Sequence, residues 1–164
     1  MINNGNITIR TIEDDDIDLI YRWNSKKFRG DFQEFKFKSL NELKKEYNVS
    51  GFCSNKFQVL IINEKDIKIG LVYLNFYREG IVKIGIVLNY DSCNKGRGTI
   101  ILKMMTEYLF SNYQIVRIEA DTDVKNIAAQ KILERVGFLK EGTLRKYRFH
   151  HGEYHDSYIY GLIK

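Results

Sequence analysis

The sequence predicts an α+β domain in which four helices lie on a mixed, largely antiparallel sheet of seven strands, and three observations carry that prediction. Short runs rich in Val, Ile, Tyr and Phe alternate apolar and polar residues as half-buried strands do. Four other stretches repeat apolar residues at helical spacing. The connections between the central runs are of hairpin size, which makes those strands antiparallel neighbours.

Residues 7–11 alternate as a first strand. The cluster Glu13, Asp14, Asp15 and Asp16 then suits the positive end of a helix carrying Ile17, Ile20 and Tyr21. Residues 24–38 are polar and aromatic without a period and read as a long loop. Ser39 and Glu42 form a capping box, so a second helix runs to about Tyr47. Strands follow at 57–62, 68–77 and 81–88, with turns at 64–66 and 78–80. A glycine-bearing loop at 89–98 opens a third helix with Ile101, Met104, Met105 and Tyr108 on one face. A strand at 115–122 leads to a helix over 126–136 that Gly137 ends. Strands at 139–149 and 154–162 close the chain. No proline is present, so Gly, Asn, Asp and Ser make the turns.

The chain has 164 residues, 44% apolar and 29% charged, the composition of one globular domain spanning 1–164. No run approaches the roughly 18 apolar residues that cross a bilayer, and the first residues lack a signal-peptide layout, so the expected compartment is the cytoplasm with no membrane partner. Cys53 and Cys93 are far apart, which gives neither a disulfide lattice nor a zinc framework. His150, His151 and His155 read as a surface turn with no metal. The net charge of +5 is spread among Asp and Glu rather than gathered in a patch, so no nucleic-acid partner is expected.

The most informative segment is Lys95-Gly96-Arg97-Gly98-Thr99, between a strand and a helix. Glycines let the backbone turn tightly and aim several N–H groups at one spot. A helix start adds unsatisfied donors and about half a positive charge, which together hold an anion such as pyrophosphate. Lys95 and Arg97 add counter-charge, and a carboxylate at position 98 would sit where the diphosphate lies. The spacing matches neither a P-loop nor the dinucleotide fingerprint, whose third glycine would fall at Ile101.

With strand and helix on either side, Cys93 to Gly98 resembles the [Arg/Gln]-x-x-Gly-x-[Gly/Ala] loop of the GNAT acetyltransferase superfamily. Asn126, Gly137-Phe138, Glu141-Gly142 and Arg145 resemble its second block. Gly152 and Asp156 are similar to the ending of the ribosomal-protein N-acetyltransferase (RimJ/RimL-like) branch. The resemblance covers essentially the whole chain and implies a three-layer α/β/α sandwich and acetyl-CoA as co-substrate, without a metal. It implies that Ile86, Val87 and Leu88 pair with the pantetheine arm and that Lys95, Gly96, Arg97, Gly98 and Thr99 hold the pyrophosphate through N–H groups. Asn126 would bond the pantetheine, cap its helix, or do both. The activity implied is acetyl transfer to a protein N-terminal or small-molecule amine, by direct attack in a ternary complex.

Leu133, Ala129 and Lys83 stand where the family often has tyrosine, serine and glutamate, and Cys93 replaces the usual Arg or Gln. Tyr147 is the candidate acid, and its other reading is a half-buried strand aromatic. Glu119, with Asp121 beside it, is the candidate base. In the 28–35 loop, Asp31 and Glu34 could hold an ammonium group, with Trp23 as a wall. The missing tyrosine and serine motivate a competing reading as a non-catalytic acyl-CoA sensor. A second copy of the chain, as a homodimer, is the other candidate partner.

Overall fold

The computed structural model describes residues 1–33, 36–93 and 95–164. Among them the elements are β1 (Ile2–Asn3), β2 (Ile7–Thr11), α1 (Ile17–Trp23), α2 (Lys26–Arg29), α3 (Leu40–Ser50), β3 (Phe57–Glu64), β4 (Ile67–Arg78) and β5 (Ile81–Leu88), then α4 (Arg97–Asn112), β6 (Arg117–Asp123), α5 (Ile127–Val136), β7 (Leu139–His150) and β8 (Glu153–Ile163). The sheet order is β1-β2-β3-β4-β5-β6-β8-β7, antiparallel except for β5 against β6. The described residues thus form eight strands and five helices, where the pattern predicted seven and four. The extra strand is the two-residue pairing of Ile2 with Ile9 and Asn3 with Thr8. The extra helix is α2, which interrupts the expected 24–38 loop and is capped where the Ser25 hydroxyl accepts from the Phe28 N–H.

Period-two alternation in β3 explains the layers. Leu60 and Ile62 point into one core with Ile101, Met105 and Leu109 of α4 and Leu133 of α5, whereas Val59 and Ile61 meet Ile17 of α1 and Leu43 of α3 on the other face. Fully burying each such side chain contributes about 1.5–3 kcal/mol relative to exposure. Helices α1 and α3 cover only the β2–β4 half of their face. Beyond them the same face carries the ion-paired Lys83, Arg117, Glu119 and Asp121 of β5 and β6.

Asp16, fully buried ahead of α1, ties the first strand to the sheet. Arg10 donates to it at 2.7 and 3.1 Å, Lys68 at 2.5 Å and the Glu13 N–H at 2.9 Å. Burial alone would raise this carboxyl, but these donors outweigh it and hold the pKa at about 2. Because the folded value lies below the unfolded one, the stabilisation is complete above about pH 4 and fades as pH falls toward 2. Asp16→Ala is expected to cost about 3 kcal/mol in urea unfolding at pH 7, the low end for breaking a buried pair. The gap from wild type should narrow on acidification through that window; a gap independent of pH would refute the assignment.

Candidate active site

The site is made by two strands that part. β5 and β6 pair only from Ile81–Arg117 to Lys83–Glu119. Beyond that point β5 stays with β4 up to Leu88, and β6 stays with β8 up to Asp123. Each keeps a partner on its outer side, so the facing edges open and have no strand partner across the gap. A cleft of about 820 Å³ fills the gap, with Ile84 to Leu88 on one wall and Ala120 to Asp123 on the other. Ile86, Val87 and Leu88 are therefore brought to an open sheet edge, the geometry that accepts an extended chain by strand addition.

Gly96, Gly98 and Thr99 stand at the mouth of the cleft, where α4 begins. Gly96 adopts φ 76°, a left-handed conformation, and among the described residues no side chain caps the helix. The first N–H groups of this 16-residue helix are thus free of a cap and have no intrahelical acceptor. The two glycines serve different ends. A Cβ on Gly96 would meet nothing within 4 Å, whereas one on Gly98 would come within 2.8 Å of Ile132 Cδ1. At Gly98 α4 and α5 approach closely, and a side chain there would have to displace the tip of Ile132.

Lys95 and Arg97 do not line the cleft. The Arg97 guanidinium is engaged with Glu64 of β3, through Nε at 2.7 Å and through Nη2. Lys131 and Arg135 of α5 line the cleft instead. Asn126 Oδ1 accepts from the Ala129 N–H at 3.1 Å as an N-cap, and the residue lines the cleft. Cys93 also lines it, but burial pushes its thiol pKa up, which disfavours a thiolate.

Glu119 lies at the paired end of the two strands, outside the cleft. It accepts from Tyr77 Oη at 2.5 Å and Arg117 Nε at 2.6 Å. Burial pushes its carboxyl up, yet those donors prevail and hold it below the usual range. A carboxylate so occupied is a weak base. Tyr147 is 49% exposed, and its hydroxyl accepts from Lys83 Nζ at 3.1 Å. Lys83 and Arg148 both form ion pairs with Asp121, which lines the cleft. This network escaped sequence reasoning, as did Tyr73 of β4, a tyrosine that lines the cleft and whose hydroxyl burial pushes up.

Asp31 lines the outer part of the cleft with its carboxylate exposed, while its carbonyl lies 3.0 Å from His151 Nε2. Trp23 faces an adjoining chamber rather than the cleft. Glu34 lies outside the described residues. The expected surface turn holds for His151, which is exposed, and is corrected for His150, which is 6% exposed, stacks on His155 at 3.9 Å and sits 2.7 Å from Asp123 Oδ2. Among the described residues Asp123, His150 and His155 could converge on an ion, their ligand atoms lying within 4.8 Å of one another.

Comparison with known proteins agrees with this geometry. Residues 6–139 match the family model described as an acetyltransferase (GNAT) domain. A Bacillus licheniformis protein named uncharacterized N-acetyltransferase p20 is 31% identical over 113 residues, 68% of this chain and 63% of its own length. The chain thus spans under two thirds of that relative. Spermidine N-acetyltransferase from Vibrio cholerae, solved with CoA and spermine, superposes with a TM-score of 0.88 at 23% identity over 98% of this chain and 96% of that one. RimL, a ribosomal L7/L12 alpha-N-protein acetyltransferase solved with coenzyme A, gives 0.86 at 17% over 98% and 95%. At those identities the likeness is one of fold. With more than three quarters of its length matched by the family model, the chain belongs to the GNAT acetyltransferase family.

Proposed function

We propose that the chain is an acetyl-CoA-dependent N-acetyltransferase that brings an amine directly against the thioester in a ternary complex. One observation carries the reading: the opened β5–β6 edge runs straight to the uncapped start of α4, so an extended arm and its diphosphate have adjoining sites. Acetyl-CoA supplies the activated acyl group, and overall a C–N bond replaces the C–S bond while the amine loses one proton and the sulfur gains one.

The chain's residues would act by position and charge. N–H groups of Gly96 to Thr99 hold the diphosphate, with Lys131 and Arg135 as counter-charge, and Asn126 and the edge of Ile86 to Leu88 hold the arm. Backbone N–H groups on that edge also polarise the carbonyl. Placement of the two reactants alone can lower the barrier by about 7–11 kcal/mol. The α-amine of a protein N-terminus, with a pKa of about 8, is roughly one tenth neutral at pH 7 and needs little help from a base. This suits a site whose nearest carboxylates are already paired. Proton delivery to sulfur falls to a tyrosine. Tyr73 lines the cleft and keeps its proton at neutral pH, whereas Tyr147 is held by Lys83 outside it.

Calorimetry with acetyl-CoA, followed by assay of free CoA release over a panel of amines, tests the reading. Binding with turnover on at least one amine is expected, and Tyr73→Phe should lower kcat about a hundredfold while Tyr147→Phe lowers it less. Binding without turnover on any amine would favour the sensor reading.

A further inference from the structure

A second cavity, of about 470 Å³, lies on the sheet face covered by α1 and α3. Its walls are mainly apolar, with Trp23 stacked on Phe28 at 4.5 Å and with Phe52, Phe57 and Leu71 around them. The chamber adjoins the cleft: Phe28, Arg29, Gln33, Tyr73 and Val87 line both. A ligand lodged there lies against Tyr73 and Val87, whose other side borders the cleft where the strands part.

Charge narrows what can lodge. The chamber's acidic residue, Glu46, is paired with Lys38 at 2.5 Å. Arg29, on the shared wall, donates to Asn24 Oδ1 at 3.1 Å and has no carboxylate partner among the described residues. Deeper in, Asp121 is balanced twice, by Lys83 and by Arg148. Among the described residues a multiply charged cation would find the Asp31 carboxylate exposed, but Glu46 and Asp121 already paired and the Arg29 guanidinium on the shared wall. An amine that carries its own anion would find a half-buried guanidinium waiting, whose planar fork matches a carboxylate.

Building on the acetyl-transfer reading, we propose that this chamber is the acceptor pocket and that the acceptor is a bulky apolar α-amino acid. Its carboxylate meets Arg29, its side chain lies among Trp23, Phe28 and Phe52, and its amine faces the cleft. The volume is within the range of about 300–1,000 Å³ usual for small-molecule sites. Since the amino group and carboxylate share one carbon, anchoring the anion at the shared wall also fixes the nucleophile beside it.

Trp23 is the single tryptophan of the chain and lines the chamber, so its fluorescence reports occupancy. Titration of the CoA-bound protein with L-leucine should give a saturable change. L-leucinamide, of the same shape without the anion, should bind at least about tenfold more weakly, the worth of one charge-assisted contact. Arg29→Gln should bind L-leucine as weakly as wild type binds the amide, and Arg29→Lys should recover part of the difference. Equal binding of acid and amide, stronger binding of spermidine, or no change with L-leucine would overturn the proposal. Calorimetry with acetyl-CoA and CoA release with other amines keep the two readings apart: if both persist while leucine fails, the acceptor assignment alone is wrong. If neither is seen, the transfer reading falls and takes this one with it.

Discussion

Gly96→Asp is expected to weaken acetyl-CoA binding at least a hundredfold while leaving the fold intact. A carboxylate at the start of α4 would stand beside the diphosphate, and two like charges about 4 Å apart repel by roughly 4 kcal/mol at an effective dielectric constant of 20. It would also occupy the N–H groups that the proposed ligand needs. The structural cost is small. The new side chain would enter open space, since a Cβ at this position meets no atom within 4 Å. The left-handed backbone costs about 1–2 kcal/mol for most residues but is better tolerated by Asp and Asn. A negative charge at a helix N-terminus returns about 0.3–1 kcal/mol of that. Gly96→Asn imposes the same backbone demand without the charge and should retain most of the affinity. The pair of variants, measured by calorimetry beside thermal melts, isolates electrostatics from folding. Unchanged affinity in Gly96→Asp would remove the diphosphate from the mouth of α4.

The strands and long helices could be read along the chain because each buries one face, and burial imposes its period on the sequence. β3 shows this directly, with Leu60 and Ile62 facing one core and Val59 and Ile61 the other. The elements that went unread are those too short to show a period. α2 has four residues, and β1 is held by two pairings to residues seven and five positions away. The glycine loop was legible because its chemistry is local, a turn followed by a helix start. Its individual roles were not. Arg97 looks like a phosphate ligand until Glu64, 33 residues earlier, is placed beside it. Gly98 looks like a bare backbone position until Ile132 of α5 is packed against it. Lys83 and Asp121 meet only because β5 and β6 pair in parallel with Lys83 opposite Glu119, one pleat repeat short of Asp121. His150 looks like part of a surface hairpin until Asp123, 27 residues earlier, is set 2.7 Å away. In each case the missing information is a register or a crossing between elements, which no local pattern encodes.

Asp121 is where that hidden register should matter most for stability. Its side chain is 5% exposed and pairs with both Lys83 and Arg148, which are themselves 30% and 26% exposed. Asp121→Ala would leave two half-buried cations facing each other without a counter-charge. The expected loss is about 3 kcal/mol, the low end for breaking a buried pair, because both cations retain some contact with water. The pH dependence gives the loss a signature. Burial pushes the Lys83 ammonium down, and the hydrogen bond and charge of Asp121 more than reverse this, so its pKa stands above the ordinary lysine value of about 10.4. A raised folded pKa stabilises below the unfolded value, so the wild-type contribution is complete up to about pH 10.4 and fades above it. In the variant burial and the facing Arg148 oppose the Lys83 charge and only the weaker Tyr147 contact favours it, so its charged form is penalised at neutral pH and that penalty is relieved as the amine loses its proton. The gap between wild type and Asp121→Ala should therefore narrow as pH rises past about 10. It should not close, since Arg148 stays charged throughout. Urea unfolding of both proteins at pH 7 and pH 10.8 measures this directly. A gap that is small at pH 7, or that widens with alkali, would mean that the carboxylate is not what holds the two cations on this face of the cleft.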